Sequence, residues 1–287
     1  MKGLISPSRY HSITPITEKM AIELASMPAL ETIQFHDVKP TPATLNILND
    51  IVFKNRKDIT LRVYGYSGRW QDIGMLKLLP ELEKFDWDSD TFQSVQPLYE
   101  LKKLTHLGIG FANPKPKISV KFLADFKDTL TSLNMEGDYK DFLITVPVLK
   151  KLTKVWFFSM KLTGFDFLEG LAIETLGNYG GRVASFDFLS NLKTLKNLWI
   201  KTNSKIEDIN FITDLPLLEK LELYYLSKIT TFPKCNHLLH LKEVLAFELN
   251  RLNDIEELRK LKNCKVTACG KQVPDKGYSY DPGKPYQ

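Results

Sequence analysis

Much that would announce a function is missing from this sequence. Its 287 residues hold three cysteines, Cys235, Cys264 and Cys269. That low, odd count excludes a small disulfide-stapled fold and points to reduced thiols, hence to a cytoplasmic protein. The opening stretch MKGLISPSRYHSITPITEKM has no apolar run of export-signal length, in keeping with that expectation. No stretch approaches the roughly 18 uncharged apolar residues of a membrane span. The net charge is only +5, from 39 basic and 34 acidic residues, and no run of five or more Lys/Arg occurs. A nucleic-acid partner is therefore not expected.

Recognisable catalytic signatures are also absent. There is no Gly-x-Ser-x-Gly, no phosphate-cradling loop and no dinucleotide Gly-rich turn. GYSGRW (65–70) has two glycines without the strand-to-helix setting that phosphate binding needs. In CNHLLH, Cys235, His237 and His240 offer thiolate and imidazole donors but lack a fourth ligand. DWDSD (86–90) alternates carboxylates as a calcium loop does, without that loop's Gly or distal Glu. The expectation is a protein with no catalytic residue, cofactor or metal.

What is present is a period. The template Leu-x-x-Leu-x-Leu fits Leu195/Leu198/Ile200, Leu218/Leu221/Leu223 and Leu241/Val244/Ala246. Upstream it fits Leu82/Phe85/Trp87, Leu104/Leu107/Ile109, Leu130/Leu133/Met135 and Leu152/Val155/Phe157. Weaker copies stand at Leu30/Ile33/Phe35, Leu61/Val63, Ile173/Leu176/Asn178 and Leu261/Cys264/Val266. From residue 82 the copies start 22, 26, 22, 21, 22, 23, 23 and 20 residues apart. Alternation at the second and third template positions is the period of a strand. FDFLEGL (165–171), FDFLSNL (186–192), INFITDL (209–215) and IEELRKL (255–261) fill matching places after the strands. They are too short for a full α-helix and suit a 3₁₀ turn or a brief helix. One such unit cannot bury its own apolar face, so about eleven must stack and stabilise collectively.

Helical spacing predicts a helix in 41–53, with Thr41 and Pro42 as cap and first turn, and another in 119–130 after Ser119. TEKMAIELASM (17–27) is expected as a helix covering the N-terminal end of the core. The organisation expected is a helical cap over 1–28, a repeat array over 29–270 and a loose Pro/Gly/Tyr-rich tail over 271–287. LGNYGGRVASF (176–186) reads as a local fault, one residue short, with Asn178 where an aliphatic belongs.

With these residues in view, the chain resembles leucine-rich repeat proteins, over about residues 28–270. KIEDINFITDL (205–215) is closest in character to internalin-type and phosphatase-regulator-type repeats. The resemblance implies an α/β repeat solenoid, a horseshoe with a parallel sheet on its concave face and 3₁₀ or short helices on its convex face. It also implies an asparagine ladder. Asn203 occupies that place in one unit, while Asp90, Asp138, Met160, Gly181, Leu226 and Cys269 occupy it in others.

Residues flanking the inward aliphatics leave the sheet on its open side. From residue 152 these include Lys154, Trp156 and Phe158, then Tyr179, then Asn197, Trp199 and Lys201. Lys220, Glu222 and Tyr224 follow, then Glu243, Leu245 and Phe247. Six aromatics on one face, half exposed, would present on the order of 600 Å². Trp156, Phe158, Tyr179, Trp199, Tyr224 and Phe247 are the expected anchors for a partner protein, with Lys201, Lys220 and Glu222 setting orientation. The competing expectation is that these rings only pack on one another. Upstream, Thr60, Arg62, Tyr64, Lys84, Asp86, Asp88, His106, Asn134 and Glu136 make the open face polar, with Asp90 adding to an acidic spot. The expected function is non-enzymatic protein binding, and the family resemblance fits an inhibitor, immunity or regulatory role. The alternative is a structural, scaffold or surface-adhesion protein with no defined ligand.

Overall fold

The period-two segments become strands, and their register fixes which side chains share a face. A computed structural model describes residues 3–12, 15–36, 38–65, 68–111, 118–181, 183, 185–273 and 277–283. Two compact units make up the chain, Met1–Asp141 and Phe142–Gln287.

In the first unit a hairpin of β1 (Leu4–Ser6) and β2 (Arg9–His11) leads into a parallel series. The series continues with β3 (Thr32–Phe35), β4 (Thr60–Gly65), β5 (Lys84–Ser89), β6 (His106–Phe111) and β7 (Ser132–Glu136). Ile33, Leu61, Phe85, Leu107 and Leu133 align in one row, and Phe35, Val63, Trp87, Ile109 and Met135 in the next. All of these are buried. Tyr10 aligns with Ile33, so the parallel series begins one strand before the first repeat found in the sequence. Trp87 is held in the core by its indole N–H, which donates to the Trp70 carbonyl at 2.7 Å; Trp70 in turn donates to the His36 carbonyl at 2.6 Å. GYSGRW thus contributes a buried tryptophan to the core, with residues 66–67 outside the described set.

The helix α1 (Glu18–Ser26) starts where Thr17 accepts a hydrogen bond from the Met20 N–H at 3.3 Å, and it buries Ala21 and Leu24. In α2 (Pro42–Ile47), Thr41 accepts from the Thr44 N–H at 3.2 Å; the helix then widens into a π turn over Leu48–Phe53. The helix expected in 119–130 is instead a 3₁₀ segment, Lys121–Phe126. From this tighter winding Leu123 and Phe126 still reach the core.

The second unit stacks β8 (Lys154–Phe158), β9 (Thr175–Tyr179), β10 (Asn197–Lys201), β11 (Lys220–Tyr224), β12 (Glu243–Phe247) and β13 (Lys265–Cys269), all parallel. Val155, Leu176, Leu198, Leu221, Val244 and Val266 form one buried row. The last repeat was expected as Leu261/Cys264/Val266, but Val266 pairs with Val244 and Ala268 with Ala246. The template thus falls two residues early at this unit, because Leu261 and Cys264 are also buried and apolar. Between strands, Asp166–Leu168, Asp187–Asn191 and Asn210–Asp214 are 3₁₀ turns and Glu256–Arg259 is a brief helix. Phe165, Phe186 and Phe211 stack from turn to turn, with centroids 5.2 and 5.9 Å apart.

Each strand from β8 to β12 ends in a left-handed residue: Ser159, Gly180, Thr202, Tyr225 and Glu248, with φ of 53°, 70°, 58°, 55° and 55°. The N–H groups of the first four donate to the carbonyls of Tyr179, Lys201, Tyr224 and Phe247 at 2.7–3.0 Å. The apparent fault at Gly180 is therefore in register, and glycine is the residue type best suited to that backbone. Gly181 is required by a close approach, since a Cβ there would lie 2.2 Å from the Met160 carbonyl oxygen. Asn178 keeps its buried amide satisfied by donating to the Gly180 carbonyl at 3.1 Å.

The tail is more ordered than its composition predicts. Residues Gly277–Tyr280 form β14, antiparallel to β13, and the Tyr280 hydroxyl donates to the Lys262 carbonyl at 2.8 Å. Residues 274–276 and 284–287 lie outside the described set.

Candidate functional site

Alternation along β8–β12 turns Trp156, Phe158, Tyr179, Trp199, Lys201, Lys220, Glu222, Tyr224 and Phe247 away from the buried rows. The six rings meet. Trp156 lies 4.7 Å from Trp199 and 5.7 Å from Tyr179, centroid to centroid. Phe158 stacks on Tyr179 at 5.1 Å, and Tyr224 packs on Phe247 at 6.0 Å. Trp156 reaches Trp199 across β9 because the residue between them is Gly177, where a Cβ would stand 1.9 Å from the Trp156 ring.

Polar groups tie the rings together. The Glu222 carboxylate accepts from the Tyr224 hydroxyl at 2.5 Å and pairs with Lys220 Nζ at 2.7 Å. Lys220 also reaches Glu243 at 3.2 Å and lies 5.7 Å from the Trp199 ring centroid. Burial works to raise the pKa of Glu222, but its hydrogen bonds from Lys220, Tyr224 and Trp199 outweigh it and hold the carboxyl below its usual value. Tyr224 is pushed up, by burial first and then by the hydrogen bond to Glu222. Lys220 is raised mainly by its hydrogen bond to Glu222. Glu222 is itself buried, so it braces the face from beneath.

The six rings are part-buried rather than half-exposed. At 150–250 Å² per aromatic, they present about 300 Å², less than the sequence estimate, because each covers its neighbour. One contributor escaped the sequence reading. Tyr225, exposed, sits edge-on to Phe247 at 5.7 Å. Its left-handed φ redirects its side chain, and strand periodicity carries no sign of that.

No protein-family model matches the chain, and no curated protein matches it. Solved structures do. An internalin, InlF of Listeria monocytogenes, aligns at TM-score 0.51 and 19% identity, over 91% of this chain and 77% of that one. The functional domain of InlJ from the same organism aligns at TM-score 0.52 and 14% identity, over 90% of this chain and 57% of that one. The leucine-rich repeat ectodomain of the receptor kinase GASSHO1/SCHENGEN3 from Arabidopsis thaliana, solved with CASPARIAN STRIP INTEGRITY FACTOR 2, aligns at TM-score 0.50 and 16% identity. It is matched over 88% of this chain and 30% of that one. The fold is that of a leucine-rich repeat protein. At these identities the likeness concerns the fold alone.

Within the leucine-rich repeat, Asn203 acts as the ladder residue. Buried, it donates to the Val183 carbonyl at 3.2 Å and accepts from the N–H groups of Lys205 and Ile206 at 2.7 and 3.2 Å. Met160, Leu226 and Leu249 fill the equivalent places as buried apolar residues, while Cys269 falls on the open face once the last repeat is re-registered. Among the described residues no three His, Cys, Asp or Glu side chains are grouped to hold a metal. Cys235 is buried, which pushes its thiol up to about 12, and His237 instead contacts the Thr213 carbonyl at 2.9 Å. No helix among the described residues is long and apolar enough to cross a membrane.

The open face of the first unit is polar. Arg62 grips Asp88 through Nη2 at 2.6 Å and lies 4.8 Å from the Tyr64 ring centroid, and His36 stacks on that ring at 4.3 Å. His106 bridges Asp86 and Ser132 at 2.9 and 2.8 Å. Asp90 accepts from the Gly68 N–H at 3.0 Å. Asp86 lies over Gly108 and Asp88 over Gly110, beside a cavity of about 90 Å³ that Glu136 and Tyr64 also line. Desolvation there raises the Asp88 pKa, against the pull of Arg62.

Proposed function

We propose that this leucine-rich repeat protein is a non-enzymatic binding module whose partner protein docks on the open face of β8–β12. One observation carries the reading. Six part-exposed aromatic side chains on that face are already packed against one another in two groups, with Lys220 and Glu222 bracing Trp199 and Tyr224, so docking orders few side chains. Trp and Tyr in such a setting are the usual anchors of protein interfaces. Trp156, Trp199 and Tyr224 are the proposed anchors, with Phe158, Tyr179, Phe247 and Lys201 completing the contact. An inhibitory, immunity or regulatory role is the use we favour for such a surface. The alternative, a scaffold with no ligand on this face, is supported by the mutual packing of the same rings.

The test is affinity purification with the full chain and with the triple variant Trp156→Ala, Trp199→Ala, Tyr224→Ala, with folding checked by circular dichroism. Partners recovered by the parent chain and lost from a folded variant support the reading. Identical recovery overturns it.

A further inference from the structure

Lys201 ends β10, opposite Tyr179 on β9 and Tyr224 on β11. Its Nζ lies 5.8 Å from the Tyr179 ring centroid and 5.9 Å from that of Tyr224. It pairs with no carboxylate among the described residues. The lysines nearby differ. Lys220 is shared by Glu222 and Glu243 at 2.7 and 3.2 Å, and Lys265 reaches Glu243 at 3.5 Å. Both acidic residues on the open side of β8–β13 are thus neutralised from within. Lys154, exposed on β8, also lacks an acidic partner among the described residues. Four lysines face two glutamates on these strands, and of the two lysines left over, Lys154 and Lys201, it is Lys201 that lies between two rings.

We propose that the partner is a polypeptide segment that seats an Asp or Glu carboxylate on Lys201, with apolar side chains on the flanking rings. This rests on the docking face argued above and adds the chemistry of its occupant. A ring face attracts the ammonium but does not neutralise it, so the charge remains available. Once a partner covers Tyr179 and Tyr224, water is excluded and a charge-assisted hydrogen bond to Lys201 strengthens. A neutral segment would desolvate Lys201 without a counter-charge, and a basic one would meet like charge. Specificity then comes from rejection as much as from attraction.

The experiment presents three hexapeptide pools to the immobilised full chain. The pools are identical except that one position, followed by a fixed Phe, is Glu, Gln or Lys. Captured peptide is quantified by mass spectrometry. The Glu pool should be retained about tenfold over the Gln pool, the preference expected of one charge-assisted contact, with the Lys pool lowest. Lys201→Met should equalise Glu and Gln, while Trp199→Ala should lower all three pools. Equal capture of Glu and Gln by the parent chain, or a preference that survives Lys201→Met, overturns the carboxylate seat. In that case, if Trp199→Ala still lowers capture, the aromatic docking face stands without it. Capture unaffected by Trp199→Ala, or no capture of any pool, overturns both.

Discussion

Replacing Gly177 by alanine tests the aromatic face through a single methyl group. Gly177 sits in β9, in strand backbone that alanine also adopts, so the substitution has no conformational penalty of its own. In an ordinary strand it would gain about 0.5–1 kcal/mol, because alanine loses less freedom on folding than glycine. Here the new Cβ would stand 1.9, 2.4 and 2.8 Å from three atoms of the Trp156 ring. Ordinary contact begins more than an ångström further out, so the indole must leave its seat or the strand must shift. Overpacking of this kind costs about 1–3 kcal/mol. Moving the ring also forfeits its contact with Trp199 at 4.7 Å, about 0.5–1.5 kcal/mol for an aromatic pair. Gly177→Ala should therefore destabilise the chain by about 1–3 kcal/mol. In a Trp156→Ala background the obstacle is gone, and the same substitution should be neutral or stabilising. Guanidinium unfolding of the four proteins of this cycle, followed by far-ultraviolet circular dichroism, measures the coupling. An equal cost of Gly177→Ala in both backgrounds would refute the seating of Trp156 over Gly177.

Three further outcomes are expected. Asn203→Ala leaves the N–H groups of Lys205 and Ile206 and the Val183 carbonyl without their partner, and should cost about 2–3 kcal/mol in denaturant unfolding. Thr202, β-branched at φ 58°, should gain about 0.5–1 kcal/mol on change to Asn, whereas Gly180→Ala at φ 70° should lose about 1 kcal/mol; urea midpoints of both read the opposed signs. The stabilisation from Glu222, whose folded pKa is lowered, is complete above the ordinary glutamate value of about 4.3 and is lost as pH falls through the folded value beneath it. Glu222→Gln should flatten that part of the acid-unfolding curve, measured by circular dichroism, and leave its shape at neutral pH unchanged.

Most of the fold is legible because burial imposes a period. Leu198 and Ile200 must face inward together, and the next strand must present Leu221 and Leu223 at the same depth. Where apolar residues continue past the strand, the period alone misleads. Leu261 and Cys264 are as buried as a true template pair, and only pairing with Val244 and Ala246 shows that Val266 and Ala268 hold those places. Composition misleads in the tail, where Tyr278 and Tyr280 lie within a strand that closes the edge of β13. The 3₁₀ winding of Lys121–Phe126 is not legible because its apolar residues stand at a spacing that suits an α-helix as well.

The open face is legible in direction but not in contact. Strand alternation places Trp156, Trp199 and Lys201 on the same side, yet it is silent on which charges are already spent. That Lys220 is neutralised and Lys201 is not depends on rotamers reaching across strands, to Glu222 and Glu243 in one case and to two rings in the other. One sequence signal would have helped. A glycine at an open-face position lets the side chain one strand earlier lie flat across it. Asp86 does so over Gly108, Asp88 over Gly110 and Trp156 over Gly177, each within 1.9–2.5 Å of where a Cβ would be. In a parallel repeat the strand register converts a glycine in one unit into the orientation of a carboxylate or an indole in the previous one. Glycines in such arrays are then best read as seats for their neighbours, and the residues they seat are where an interaction surface should be sought first.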